Sequence, residues 1–369
     1  MKYLSEFRDG ALARRVADAI HAESKTPLRI MEFCGGHTIT LVKYGIPQML
    51  PKNIEMISGP GCPVCVTTKK EIDAAIEIAR RPNAVLASFG DMIRVPGTEE
   101  SLQQAKSKGA NVAVVYSPDD AVKLALEQPA KKVVFFAVGF ETTAPVTAAA
   151  ISYARAAKAE NFFIYSAHKT TPAILAALLD GEVRLDAFIC PGHVTTITGA
   201  DIYKPLTDAG KPCVVSGFEP VDILRSVLMI VRQANRGVAE TEIEYTRVAT
   251  WGGNAFAQKL LAEIFEPCDA VWRGIGPVPM SGFRCKGAYA RYNAAHEFGI
   301  SFDGDEKETP GCICGSILRG MKKPADCKLF RKACNPENPI GACMVSDEGT
   351  CSVYYRFGGS HAEAAHAKV

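Results

Sequence analysis

At 369 residues the chain is long enough for two or three domains, and a core of that size needs no covalent staples. Its 42 Lys and Arg stand against 40 Asp and Glu, a formal net charge of +2 that gives no general pull toward nucleic acid or an anionic membrane. The opening MKYLSEFRDGALARRVADAI mixes both charge signs without a secretory apolar run, and apolar stretches such as residues 133–140 are too short to span a bilayer, so a cytoplasmic protein is expected.

Residues 1–26 read as an N-terminal helix, with Leu4, Phe7, Leu12, Val16 and Ile20 near one face. After Pro27, short β-branched runs at 28–33, 54–58, 84–89 and 112–116 alternate with helical spacings, and Ser117-Pro118-Asp119-Asp120 is a helix start. The rhythm resumes with strands at 133–138, 162–166, 187–190 and 213–216, separated by helices near 143–158, 172–179 and 221–235. Strand and helix in alternation predict an α/β fold: two Rossmann-like parallel-sheet domains, 27–130 and 131–240. From about Trp251 the pattern gives way to Gly, Pro and Cys, which marks 241–369 as an irregular cysteine-rich domain ordered partly by metal.

Ligands in parallel α/β sheets bind beyond the carboxyl ends of strands, which singles out five loops. Cys34-Gly35-Gly36-His37 follows the first strand, where Cys34 and His37 could face one ligand; a tight turn with a buried thiol is the alternative. Gly59-Pro60-Gly61-Cys62-Pro63-Val64-Cys65 follows the second and leads into a helix. Thr68 and Glu71 have capping-box spacing there, so Cys62 and Cys65 should lie near a helix N-terminus that favours thiolate, for metal binding or disulfide exchange. Gly139-Phe140-Glu141-Thr142-Thr143-Ala144-Pro145, Ser166-Ala167-His168-Lys169-Thr170 and Cys190-Pro191-Gly192-His193 close three later strands. Each has an ordinary loop or N-cap reading, and their recurrence is what draws notice.

Six of the 13 cysteines fall between residues 312 and 351. In a reducing compartment a terminal cluster of this kind points to metal rather than to disulfides, and the odd total does not fit a fully paired framework. Cys312-x14-Cys327-x6-Cys334-x16-Cys351 offers four thiolates without the short paired knuckles usual for zinc, so a [4Fe-4S] cluster is expected. Cys285, Cys314 and Cys343 are left over as accessory or simply buried thiols. No phosphate loop, dinucleotide fingerprint, nucleophile elbow or radical S-adenosylmethionine motif is present.

Taken in order, Cys34-Gly35-Gly36-His37, Gly59 to Cys65, Gly139 to Pro145 and the four-cysteine pattern resemble the hydrogenase maturation protein family HypD, from about residue 27 to Phe357. The resemblance implies a role in building the Fe(CN)2CO group of [NiFe]-hydrogenases. It implies HypC as partner, cyanide delivered by HypE with HypF upstream, and a [4Fe-4S] cluster held by Cys312, Cys327, Cys334 and Cys351. Cys34 would be an iron ligand, Cys62 and Cys65 essential for iron binding or redox, and His37 and Glu141 candidates for hydrogen bonding or proton transfer to bound cyanide. The family's first motif usually carries a second histidine where Ile39 stands here, so that weight falls on His37. The competing readings are a freestanding iron-sulfur thiol-disulfide oxidoreductase and a structural zinc protein.

Overall fold

A computed structural model describes residues 5–179, 181, 183–300 and 309–358. The parts of the expected cysteine-rich domain at 301–308 and 359–369 lie outside the described residues.

Nine strands form two wholly parallel sheets. The first has the order β2 (Ile54–Ser58), β1 (Leu28–Glu32), β7 (Ala187–Pro191), β8 (Cys213–Ser216), β9 (Thr241–Ile243). The second runs β4 (Val112–Val114), β3 (Ala84–Ser88), β5 (Lys132–Ala137), β6 (Phe162–Ser166). Strands buried on both faces explain the continuous apolar runs; β3, for example, is buried at every position. A long antiparallel hairpin, β10 (Phe265–Trp272) with β11 (Gly276–Cys285), follows.

The sheets do not divide at residue 130. The chain builds β1 and β2, crosses to lay down all four strands of the second sheet, and returns for β7, β8 and β9. Each sheet therefore draws from both sides of that point, because parallel neighbours need long crossovers and those crossovers run between the sheets. The outward crossing passes through the Cys62–Cys65 segment and the helix Lys69–Arg80, whose Thr68/Glu71 capping box is formed as the spacing predicts.

Apolar packing fixes the layers. Ile20 and Val16 of the helix Gly10–Glu23 pack with Ile223, Val227 and Ile230 of the helix Pro220–Arg236 on one face of the first sheet. Its other face shares one cluster with the cysteine-rich region, joining Met31, Phe33, Cys62 and Cys65 to Cys314, Cys334, Cys343 and Cys351. The expected irregular domain 241–369 is more ordered than its sequence suggests, holding the helix Ala255–Ile264 and the hairpin. Within 309–358 there are the short helix Cys314–Leu318 and the helix Thr350–Phe357, which packs on the helix Gly35–Lys43. No described helix is long and apolar enough to cross a membrane.

Candidate metal and thiol site

Strand order in the first sheet reverses between β1 and β7, the switch point where doubly wound sheets open a crevice. Cys34 lies just past β1 and His193 just past β7, and Cys34 Sγ stands 3.9 Å from His193 Nδ1. Cys34 is the extended N-cap of the helix Gly35–Lys43, and its thiol is buried. The glycines after it are needed for close approach: a Cβ on Gly35 would collide with Glu348, and one on Gly36 would press on the Phe218 ring at 3.0 Å.

Electrostatics here are dominated by burial. It pushes the Cys34 thiol well up, with Glu348 and then Glu32 adding to the effect. Glu32, fully buried, accepts from Cys34 N (3.0 Å) and Thr38 Oγ1 (2.6 Å), yet burial still raises its carboxyl to about 7. Burial lowers His37 to about 3, helped by the neighbouring His193, and lowers His193 to about 4. Both rings are therefore neutral near pH 7. Among the described residues neither ring nitrogen of His37 makes a hydrogen bond of normal geometry, although the Ser216 and Gly217 backbone is near enough to favour its charged form.

The second loop is pressed against the first. A Cβ on Gly61 would overlap the Phe33–Cys34 backbone, and Gly59 N donates to Glu32 O at 2.7 Å. Cys62 caps its own single turn, Pro63–Val66, one turn ahead of the helix that Thr68 caps. Helix-start activation of these thiols is not what results at Cys65, which is fully buried. Burial drives its thiol up, and the adjacent Cys62, Cys351 and Glu348 add to the rise. Cys65 Sγ lies 4.0 Å from Ala342 O, which brings it beside the residue preceding Cys343.

Cys312, Cys327, Cys334 and Cys351 line one small recess together with Cys314 and Cys343. The Cys351 thiol is raised by burial and then by Cys312, Cys334 and Cys327, so these four sulfurs act on one another. Cys314 and Cys343 form a disulfide on the same recess. Cys285 lies apart, in the core of the second sheet with Phe265 and Tyr289. No three His, Cys, Asp or Glu side chains among the described residues stand at metal-holding spacing.

Of the residues singled out from sequence, Cys34, His37, Cys62 and Cys65 come together, and His193 joins them. Glu141 is engaged elsewhere: its oxygens accept from Thr171 N (2.6 Å) and Thr171 Oγ1 (2.8 Å) beside an apolar groove. His168 is buried between Gly139 O (3.3 Å) and Thr147 Oγ1 (3.1 Å). Phe218, Glu32 and Glu348 escaped the sequence reading. Phe218 follows β8 and so occupies a strand end like the others, whereas Glu348 comes from a region with no periodicity to read.

A family described as "HypD: Hydrogenase formation hypA family" matches residues 11–358. The hydrogenase maturation factor HypD of Azotobacter vinelandii is 47% identical over 369 residues, covering 97% of each chain. That of Rhodobacter capsulatus is 45% identical over 375 residues, covering 98% of this chain and 100% of the relative, and that of Cupriavidus necator is 44% identical over 370 residues, covering 97% of each. With matches of this extent, and with the two thiol loops and the cysteine-rich region packed as one unit, the chain belongs to the HypD family of hydrogenase maturation factors.

Proposed function

We propose that the chain is the scaffold on which, together with HypC, iron receives its two cyanides and its carbon monoxide to become the Fe(CN)2CO group of [NiFe]-hydrogenases. The carrying observation is Cys34 at the switch point of the first sheet, buried beside two neutral imidazoles. Thiolate and cyanide both suit low-spin iron, and a cysteine of HypC would provide a second thiolate. When iron takes the Cys34 sulfur the thiol proton must leave, and His193 Nδ1 at 3.9 Å is placed to accept it. His37, held against Phe218 with open ring nitrogens, can hydrogen-bond a cyanide nitrogen brought by HypE from the HypF pathway.

The recess supports the second half of the reading. Four mutually interacting thiols in a largely apolar pocket fit a [4Fe-4S] cluster, which supplies single electrons when bound. Cys312, Cys327, Cys334 and Cys351 would hold it, and the Cys314–Cys343 disulfide with Cys65 beside Ala342 gives thiol chemistry a continuous path toward the crevice. That path equally suits the rival reading, a freestanding thiol-disulfide oxidoreductase, which leaves Cys34 and His37 without a task. Infrared spectra of the anaerobically purified complex with HypC decide between them. Cyanide and carbonyl bands that vanish in Cys34→Ala are expected; a complex with iron and sulfide but no such bands in any state would overturn the scaffold reading.

A further inference from the structure

A second site lies at the start of the helix Lys69–Arg80, where Thr68, Lys70 and Glu71 line it. Beyond the carboxyl end of edge strand β6, the β10–β11 hairpin closes over a cavity of about 310 Å3, within the range of small-molecule sites. Its apolar lining includes Ile164, Ala270, Val271, Pro277 and Phe283, and Glu71, Ser166 and Lys169 are among its polar groups. Lys169, 1% exposed, reaches in from the loop after β6 and donates to Glu71 Oε1 at 2.6 Å, using one of its three N–H groups. The hydroxyl of Ser166 is buried on the same cavity with no hydrogen-bond partner among the described residues. The Ser166 hydroxyl is unmatched and the Lys169 ammonium has N–H groups beyond the one given to Glu71, and leaving a buried polar group unmatched is costly.

Three cations, Lys70, Lys169 and Arg284, line the cavity; Lys169 is paired with Glu71 at 2.6 Å and Arg284 with Glu266 at 2.7 Å, so recognition of an anion here rests on hydrogen bonds from Lys169 and Ser166 rather than on excess charge. Both Arg284 and Lys169 also oppose the upward push of burial on the Cys268 thiol, so the two cations are felt at its wall. We propose that this cavity binds a small monocarboxylate with an apolar body, the carboxylate taken by the Lys169 ammonium and the Ser166 hydroxyl and the body lying against Ile164, Val271 and Phe283. The site is independent of iron and of the Cys34 crevice.

Cys268, half-buried on the cavity wall, provides a local reporter. Its thiolate displaces iodide from either iodoacetate or iodoacetamide, two probes of similar size that differ in carrying a carboxylate or a neutral amide. In the full chain, the ratio of the two alkylation rates at Cys268, read by peptide mass spectrometry and divided by the ratio in the denatured chain, should favour iodoacetate by about tenfold, the factor expected of one charge-assisted hydrogen bond. Benzoate should protect Cys268 saturably and benzamide should not. Lys169→Met leaves Glu71 without its cation and endangers the fold, so the deciding variant is Ser166→Ala, which removes only an unmatched hydroxyl and should reduce the preference several-fold. A ratio equal to that of the denatured chain, equal protection by benzamide, or a preference unchanged in Ser166→Ala but abolished by Arg284→Gln would each overturn the proposal, the last by assigning the effect to surface charge.

Discussion

The ring of Phe218 lies nearly parallel to that of His37, centroids 4.8 Å apart with 25° between planes, and meets the ring of His193 at 5.2 Å and 61°. One side chain thus touches both of the imidazoles near Cys34. Thr40 Oγ1 donates to the Phe218 carbonyl, and Tyr245 packs against the ring from behind, 5.9 Å away. Phe218→Leu retains apolar bulk but loses the flat surface that orients His37, at a stability cost of about 1–2 kcal/mol. Iron retained after anaerobic loading should fall steeply while the thermal transition stays cooperative. Iron content equal to the parent's would mean that the histidines keep their positions without this ring.

Cys34→Ala should behave differently from His37→Ala. The Cys34 sulfur is a small buried group that meets His193 at 3.9 Å and the Gly36 and His37 backbone, so its removal costs the fold about 1 kcal/mol, yet it deletes the proposed iron ligand. His37→Ala leaves the thiol in place and removes a group that orients ligands, so iron should persist with shifted cyanide bands. Iron analysis and infrared spectra on both variants give the ordering. Complete iron loss in His37→Ala with intact bands in Cys34→Ala would reverse the assignment.

Much of this arrangement was legible in sequence because parallel strands announce themselves. Runs 162–166 and 213–216 coincide with β6 and β8, which read as apolar because they are buried almost throughout, and 54–58 with the partly buried edge strand β2. The loops after them followed from the strand-end rule, and Cys34, His37, Cys62 and Cys65 do assemble. Sheet membership was not legible: nothing local in β3 or β7 records which sheet a strand will join, because crossovers of similar length lead to either. The β10–β11 hairpin was hidden by Gly276-Pro277-Val278-Pro279, which reads as a breaker but sits in an isolated two-stranded ribbon that tolerates it. The sign of the thiol shift was missed for a related reason. A helix start near Cys65 is local and readable, whereas the cysteine-rich region that buries it arrives from almost three hundred residues away, as the contact to Ala342 records.

That burial makes a kinetic prediction. With the Cys65 thiol raised by desolvation and by Cys62, Cys351 and Glu348, little of it is thiolate near neutral pH. Alkylation of Cys65 in the native chain should therefore be slower than in the denatured chain from pH ~7 to ~9, with no plateau below the free-cysteine value of ~8.5. Rate against pH, read on the Cys65 peptide, checks this. Native Cys65 reacting faster than the denatured control would indicate an activated thiolate, as the local sequence alone suggests.

Removing one sulfur from the recess should act on metal and local order together. Cys327, like Cys312, is half-buried whereas Cys334 and Cys351 are buried, and its Sγ lies 3.9 Å from Gly311 O, so Cys327→Ser disturbs packing less than a change at either buried cysteine. Anaerobic preparations should lose the broad visible absorption and bound sulfide, while proteolysis increases within 309–358 and the two sheets remain folded. Full iron and sulfide content in this variant would exclude Cys327 from the ligand set.

His168 makes acid sensitivity predictable. Burial lowers its imidazole from 6.5 to about 4, with the Gly139 carbonyl opposing the shift and Lys169 adding to it. The folded state thus binds the His168 proton less readily than the unfolded chain does. The resulting stability is fully present above pH ~6.5, falls as the unfolded chain protonates first, and is exhausted once pH drops through ~4, a total of about 3 kcal/mol. His168→Gln can still donate to the Gly139 carbonyl but cannot titrate, so its urea midpoint should vary less between pH ~6.5 and ~4.5 than the parent's. The two curves should run parallel above pH ~7, where both side chains are neutral. Parallel curves across the acid limb as well would mean that the imidazole gains its proton in the folded state as easily as in the unfolded one, and that the pocket formed by Gly139, Thr147 and Phe265 opens to water before the chain unfolds.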